Sequence, residues 1–374
     1  MLSVVSVSNA RLKNRFIRFP WQIYKADPHW VPPLLLERKQ FLNPKKNPFF
    51  KSGRAELFLA FRGGACVGRI SAHVFSRHNE IHKDKTGFFG FFESVQETEV
   101  ASVLIRAAEN WLRTEGCDRM RGPMSFTIND EVGILIDGFE TRPSILMAHN
   151  PRYYPALLES CGLEKAKDLY AWDYVAGGLS PQAVELAEAT RAAPGLAIRS
   201  LNMKNFEADI HLLVKMFNEI WALNWGFVPM TEEEVNHMAK ELKPIIDPEL
   251  TFFATVNDDP AALVLCLPDV NELLSTMNGR LLPFHWMKLA KKIMTRRWGR
   301  ARMAMLGVRK PYRGAALGAL SVLMNVEMHQ RGVKRGIQTA ELSWTLEDNE
   351  RVNRGIEFMG GRRYKTYRVY EKII

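Results

Sequence analysis

Apolar residues that alternate, or recur at helical spacing, divide this chain into two rounds of one order. In the first round, Leu2–Val7 reads as an opening strand, and Phe16–Tyr24 and Leu34–Phe41 as short helices parted by Trp30-Val31-Pro32-Pro33. Ala55–Arg62 and Ala65–Ala72 read as two strands joined by Gly63-Gly64, a strong hairpin signal. Phe88–Glu93 is a third apolar strand. Glu99 to Glu115 places Val100, Leu104, Ala107, Ala108, Trp111 and Leu112 on one helical face, and Gly116 ends it. Arg119–Gly122 begins a strand, Pro151–Ser160 is a short helix, and Leu169–Val175 is a final strand.

The second round repeats that order. It predicts a strand over Leu196–Leu201, helices over Asn205–Trp221 and Glu232–Leu242, and paired strands Leu250–Val256 and Pro260–Leu267 around Asn257-Asp258-Asp259. After an inserted basic segment come a strand ending at Val308, a helix Gly314–Arg331, a strand Gly336–Trp344, a helix Asn349–Met359 and a closing strand Tyr364–Lys372. A duplication at this scale weighs more than any single motif. Gly177–Pro194, rich in Gly, Ala and Pro, is expected to be the linker. The expected domains are therefore 1–176 and 195–374, with 177–194 between them.

Composition narrows the class. A chain of 374 residues with 47% hydrophobic and 25% charged residues is ordinary for a globular protein of two domains. No apolar run approaches the ~20 residues of a membrane span, and no signal-peptide pattern opens the chain. Cys66, Cys117, Cys161 and Cys266 lie far apart without a CxxC pair, so reduced core thiols in the cytoplasm are expected. His73, His78 and His82, near Glu80 and Asp84, match no ligand spacing, so no metal is expected.

The net charge of +10 suggests an anionic partner: nucleic acid, lipid headgroups or a phosphorylated cofactor. Residues 284–300 concentrate the excess, with Lys288, Lys291, Lys292, Arg296 and Arg297 interleaved among Trp286, Leu289, Ile293 and Met294. Such a helix either lies on a membrane surface or packs its apolar face on its own domain. No RNA-stacking aromatic motif accompanies the basic residues, so nucleic acid is not expected.

The turn after the strand Arg302–Val308 is the most telling local feature. Val308, Lys310, Arg313, Gly314, Ala315, Ala316, Leu317 and Gly318 form a strand–turn–helix in which free N–H groups and small residues admit a pyrophosphate, with Arg313 and Lys310 adding charge.

On these residues the chain resembles the GNAT superfamily of acyl-CoA-dependent N-acyltransferases, in two tandem copies. Arg313-Gly314-Ala315-Ala316-Leu317-Gly318 is similar to the family's Gln/Arg-x-x-Gly-x-Gly/Ala loop, with Ala316 in place of the first glycine. Asn349 through Gly361 resembles its NxxAxxxYxxxGF segment. Val352 there replaces the alanine, Gly361 the phenylalanine, and Ile356 the tyrosine that often serves as acid. The resemblance implies an α/β fold class: two tandem GNAT-like domains, each a central twisted mixed sheet flanked by helices. It also implies no permanently bound cofactor and acyl-CoA as co-substrate. The first copy has acidic Glu93-Ser94-Val95-Gln96-Glu97-Thr98-Glu99 where the loop should be, which opposes a diphosphate. It is expected not to bind coenzyme A and is read as the acceptor side.

A narrower resemblance spans nearly the whole chain. Residues 122–133, Leu135-Ile136-Asp137-Gly138-Phe139 and His149-Asn150-Pro151-Arg152-Tyr153-Tyr154 resemble signatures of a bacterial double-GNAT group that includes ceramide synthases. This implies transfer of a fatty acyl group from a thioester to the amine of a sphingoid base, a long-chain lipid substrate. The corresponding localisation is cytoplasmic, with peripheral contact at the inner membrane face through 284–300. Transfer to a small soluble amine, and non-catalytic acyl-CoA binding, are the alternatives.

Amide formation requires a base and an oxyanion donor. Asn129 and Glu131, flanking Asp130 in a polar patch, are candidates, though turn chemistry also explains them. His149 is a base or a backbone-bonded helix-entry residue. Glu341, amid Thr339, Ala340 and Leu342, is a base or an outward strand residue. Asn349 and Asn353 bind the pantetheine arm or decorate their helix.

Overall fold

Two-residue turns set the hairpins of both rounds. In the computed structural model, which describes residues 1–314 and 319–374, Gly63 and Gly64 adopt φ of 55° and 83°, and Asn257 and Asp258 adopt 50° and 65°. Positive φ at both central residues matches the right-handed twist of the flanking strands. The strands so joined are the second and third of each round.

The described strands, in chain order, are β1 (Leu2–Ser6), β2 (Gly53–Arg62), β3 (Ala65–Phe75), β4 (Thr86–Ser94), β5 (Arg119–Gly122), β6 (Ile134–Asp137), β7 (Glu164–Val175), β8 (Leu196–Ser200), β9 (Thr251–Val256), β10 (Asp259–Pro268), β11 (Arg300–Val308), β12 (Thr339–Leu346) and β13 (Arg362–Ile373). The chain forms two compact units. One comprises 1–169, 274–280 and 365–374; the other comprises 170–273 and 281–364.

In the first unit the order is β1-β2-β3-β4-β5. The pairs are antiparallel except β4 with β5, which are parallel and joined through the helix Thr98–Thr114. That helix buries Val100, Leu104, Ile105, Ala108 and Leu112 in the unit's core, with Phe89, Phe92 and Tyr154. In the second unit β8-β9-β10-β11-β12 repeats the order and the directions. The helix Leu320–Lys334 carries β11 to a parallel β12. Duplication of the mixed α/β topology is thus explicit.

Three details differ from the sequence expectation. First, the closing strands change places: in the first unit residues 370–373 of β13 pair with β5 and residues 366–368 with β6, and Tyr170–Val175 of β7 lie beside β12 in the second. The C-terminal end of β13 is held in the first unit by Arg119 and Arg121 on Glu371 and by Lys372 on Glu109. Second, the Gly177–Pro194 stretch is not an open linker, because it contains the helix Pro181–Arg191. Ser180 Oγ accepts from Ala183 N and Pro181 opens the first turn, while Ala183, Ala187 and Thr190 face inward. Small residues at i, i+4 let this helix sit against Leu320–Lys334, where Arg191 pairs with Glu327. Third, Lys310–Tyr312 is a short 3-10 turn and the first described residue of the following helix is Leu320, not Gly314.

Candidate active site

The parallel pairing of β11 and β12 runs from Arg300↔Thr339 to Met303↔Leu342 and then stops, although both strands continue. On the other side of β11 the register with β10 shifts between Leu265 and Cys266, leaving Ala304 without a partner. This β-bulge bends β11 at the point where it leaves β12. The wedge between them is a cavity of about 360 Å³, walled by Ala304 and Leu306–Val308, by Leu342–Leu346, and by Trp221 and Asn224. Gly307 makes room for Trp221, since a Cβ there would lie 2.7 Å from its ring.

Cationic side chains stand at the mouth of the wedge, one of them neutralised by carboxylates. Arg309 is held by Glu219 at 2.8 Å and Asp259 at 3.0 Å. Arg313 uses Nε on the Val308 carbonyl at 2.8 Å and lines the cavity. Among the described residues, helix Leu320–Lys334 has no side-chain cap at Ala319 and no acidic residue in its first turn, and Ser321 and Val322 face the cavity. Uncapped N–H groups, a positive dipole end and a guanidinium suit a phosphorylated ligand.

Of the cofactor-binding residues expected from sequence, Val308, Arg313 and Asn349 line the cavity. Lys310 and Gly314 are exposed in the turn and stand outside its wall. Asn353 does not line the cavity. It is buried and donates to the Leu346 carbonyl at 3.0 Å, fixing the helix Glu350–Phe358 to the end of β12. Asn349 is the N-cap of that helix. Ala315, Ala316, Leu317 and Gly318 lie outside the described residues. Sequence reasoning missed Trp221, Arg351 and Ser343, all of which line the cavity.

Beneath the wedge, Glu341 is fully buried. Ser343 donates to its Oε1 at 2.5 Å, Tyr364 donates to Oε2, and Arg302 Nε lies 3.8 Å from Oε1. Arg302 Nε also donates to Ser343 Oγ at 2.9 Å. Burial, then the charge of Glu341, pushes the Tyr364 phenol far above its usual range. Glu341 is therefore neither an outward strand residue nor in the cavity wall. Ser343, which is in the wall, connects it to the wedge.

A second, apolar cavity of about 50 Å³ adjoins the wedge. The two share Met303, Asn325, Leu342 and Met359, and Met328, Val333, Ile337 and Ala340 extend the smaller one.

In the first unit the corresponding wedge is filled. The β4–β5 pairing stops at Phe88↔Arg121, and β4 has its own register shift opposite Arg69–Ser71. The chain then folds back: Met124 N donates to the Phe89 carbonyl at 2.8 Å, and Met124 bridges Val132. Phe126 fills the space, stacked on Phe49 at 4.6 Å and Phe41 at 5.2 Å and edge-on to Phe91 at 5.4 Å. A Cβ on Gly90 would lie 1.9 Å from the Met124 carbonyl oxygen, so β4 needs glycine there.

Candidate residues of the first unit are bound into this structure. Asn129 is exposed at a turn whose Thr127 N and Oγ1 donate to Asp130 at 3.1 and 2.7 Å. Burial pushes the Asp130 carboxyl up to about 7. Glu131 is paired with Arg38 at 3.0 Å. His149 is buried, with Nε2 2.8 Å from Asp27 Oδ2 and no partner for Nδ1 among the described residues; burial lowers its pKa. Tyr154, weighed as an oxyanion donor, instead donates to buried Glu93 at 2.7 Å. Glu97 and Glu99 both pair with Arg62. His78 is held by burial and by His82 at a pKa of about 4, and no group of three or more His, Cys, Asp or Glu among the described residues could hold a metal ion. No described helix is long and apolar enough to cross a membrane.

Comparison with known proteins fits this geometry. A bacterial ceramide synthase of Caulobacter vibrioides is 37% identical over 375 aligned residues, covering all of this chain and 98% of that protein. Protein YghO of Escherichia coli is 36% identical over 96% of this chain and 92% of its own length. No protein-family model matches the chain. Among solved structures, a tandem GNAT protein from the clavulanic acid biosynthesis pathway superimposes with a TM-score of 0.59 at 12% identity, covering 100% of this chain and 98% of its own. A GCN5-related N-acetyltransferase from Sphaerobacter thermophilus gives 0.54 at 14% identity, covering 99% and 95%. These superpositions identify the fold as a tandem GNAT fold.

Proposed function

The chain belongs to the bacterial ceramide synthase family and is an acyltransferase, and from that premise we propose that it moves a fatty acyl group from acyl-CoA to the amine of a sphingoid base. The acceptor is sphinganine or 3-oxosphinganine and the product a dihydro- or oxoceramide. The observation that carries this reading is the open wedge of the second unit, with an uncapped helix start and Arg313 at its mouth. Acyl-CoA fits it with the diphosphate at the mouth and the pantetheine arm between β11 and β12.

The amine nitrogen attacks the thioester carbon, forming the C–N bond and an oxyanion. Collapse breaks the C–S bond. Beyond Met303 and Leu342 the facing strand edges have no ladder partners across the wedge among the described residues, so backbone N–H groups there can meet the oxyanion. Ser343 Oγ takes the amine proton and passes its own to Glu341, and that proton returns from Glu341 through Ser343 to the departing thiolate, giving amide plus CoA thiol and restoring the carboxylate. Arg302 Nε, 3.8 Å from Glu341 Oε1, donates to Ser343 Oγ at 2.9 Å and so orients that hydroxyl towards Glu341. The adjoining apolar cavity supports a fatty rather than an acetyl group, because flexible Met303, Met328 and Met359 can part along a chain.

One observation favours a second assignment of the base. His149, oriented by Asp27, has a buried Nδ1 without a partner among the described residues. In this reading Glu131 and Asn129 shape the acceptor side.

The test is thioester release from palmitoyl-CoA with sphinganine or 3-oxosphinganine, with detection of the amide by mass spectrometry. Turnover with a long-chain amine supports the proposal. Preference for acetyl-CoA with a soluble amine, or no turnover by folded protein, overturns it.

A further inference from the structure

We propose that the helix His285–Thr295, with the loop Leu282–Phe284 before it, is a docking surface for an anionic phospholipid bilayer. The idea that the bilayer supplies the amine rests on the proposed function; the surface stands without it.

No side chain of this 11-residue helix is buried. At 100° per residue, Trp286, Met287, Ala290, Ile293 and Met294 share one arc, and Lys288, Lys291 and Lys292 share the other. Such an apolar arc normally turns inward to a core. Here Met294 is 82% exposed, Trp286 51% and Met287 54%, and Leu282 and Phe284 extend the apolar surface at 73% and 68%. The helix is anchored at its far end instead. Arg296 pairs with buried Asp247 at 3.0 Å, Lys292 lies 3.9 Å from Glu272, and Lys292 also sits over buried Trp298.

Charge selects the occupant. Between Glu272 and Glu327 the chain has no acidic residue. Lys288, Lys291 and Arg297 form no ion pair among the described residues. An apolar arc with an aromatic residue, flanked by free cations, matches the headgroup–acyl boundary of an anionic leaflet. A second copy of this chain would set cations against cations, and a nucleic acid would leave Leu282, Phe284 and Met294 in water.

The experiment is co-sedimentation of the full-length protein with phosphatidylcholine vesicles, with and without 30% phosphatidylglycerol (a composition on the order used to probe surface charge). Association is expected with the anionic vesicles, weakening as salt rises. The triple variant W286S/M287S/M294S and the charge variant K288E/K291E/R297E should each lower it at least about tenfold. Coenzyme A affinity, measured by calorimetry on the same proteins, should not change, which shows that each variant is folded. Equal partitioning of the variants, binding only to an RNA oligonucleotide, or a dimer in sedimentation velocity that the triple variant abolishes would each overturn the proposal. Vesicle binding without acyl transfer to a detergent-dispersed amine would sink the proposed function and leave this surface standing.

Discussion

The two units build the same wedge from the same topology, and one is full while the other is open. In both, a parallel strand pair stops after a few residues and a register shift falls nearby. The difference is side-chain volume. β4 reads Phe88-Phe89-Gly90-Phe91-Phe92 and is followed by Phe126, whereas β11 reads Ala304-Met305-Leu306-Gly307-Val308. Charge follows volume: the filled wedge precedes Glu97 and Glu99, the open one Lys310 and Arg313. A duplicated fold can thus keep a ligand-shaped gap in one copy and convert the other into core by aromatic substitution and a returning loop.

The sharpest way to break this comparison is to exchange the fillings. Phe126→Ala removes a fully buried ring and should cost about 3–5 kcal/mol of stability, read as a fall in the urea midpoint, with no change in coenzyme A affinity. Ala304→Phe should do the reverse, weakening coenzyme A at least about 100-fold, or about 2.7 kcal/mol, while the melting temperature moves little. If calorimetry finds unaltered affinity in Ala304→Phe, the wedge is not the site.

Next in size is the proposed base. Glu341→Gln keeps the volume and a hydrogen-bonding group but cannot accept the proton, so kcat should drop about 10²-fold with coenzyme A affinity nearly intact. His149→Gln is the control in the other unit. A greater loss in His149→Gln than in Glu341→Gln would move the chemistry to the first unit. Arg313→Ala comes third. It should weaken coenzyme A about tenfold, about 1.4 kcal/mol, and the deficit should shrink as salt rises because the lost charge is exposed. Salt-independent weakening would mean that Arg313 acts through its bond to the Val308 carbonyl and not on the ligand.

Much of this was legible from residue order. Gly63-Gly64 and Asn257-Asp258 declare hairpins because few residues tolerate their φ, and Val100 to Leu112 declare a helix by spacing. Val308 and Arg313 were legible because a strand–turn–helix fixes where their backbone points, and Asn349 through the resemblance of Asn349–Gly361 to a family segment. The exchange of β7 and β13 was not, since a strand's sequence records which face is apolar and not which edge it will join. Pro181–Arg191 was hidden because its two inward alanines give a weak period amid Gly and Pro. Trp221, Arg351 and Ser343 reach the wedge only through tertiary packing. Glu341 stood out as an acid in an apolar strand, but its link through Ser343 depends on a side-chain distance that no pattern encodes.

The smallest effect asks whether the polar patch of the first unit is turn or site. Burial holds the Asp130 carboxyl up to about 7, above an ordinary 3.8, while the two Thr127 donors work against that rise. Between those values the folded protein keeps a proton that the unfolded chain has lost, so stability falls as pH rises from about 4 to 7. Asp130→Asn cannot ionise and can still accept from Thr127. Relative to the parent it should gain of the order of 1 kcal/mol between pH 4 and pH 8, the small size reflecting a half-buried group. Urea midpoints across that range measure it, and kcat with palmitoyl-CoA should stay within about threefold, far less than a lost acid–base group would cost. A flat difference between the two proteins, or a collapse of kcat, would return residues 129–131 to the chemistry and make the filled wedge a working part of the enzyme.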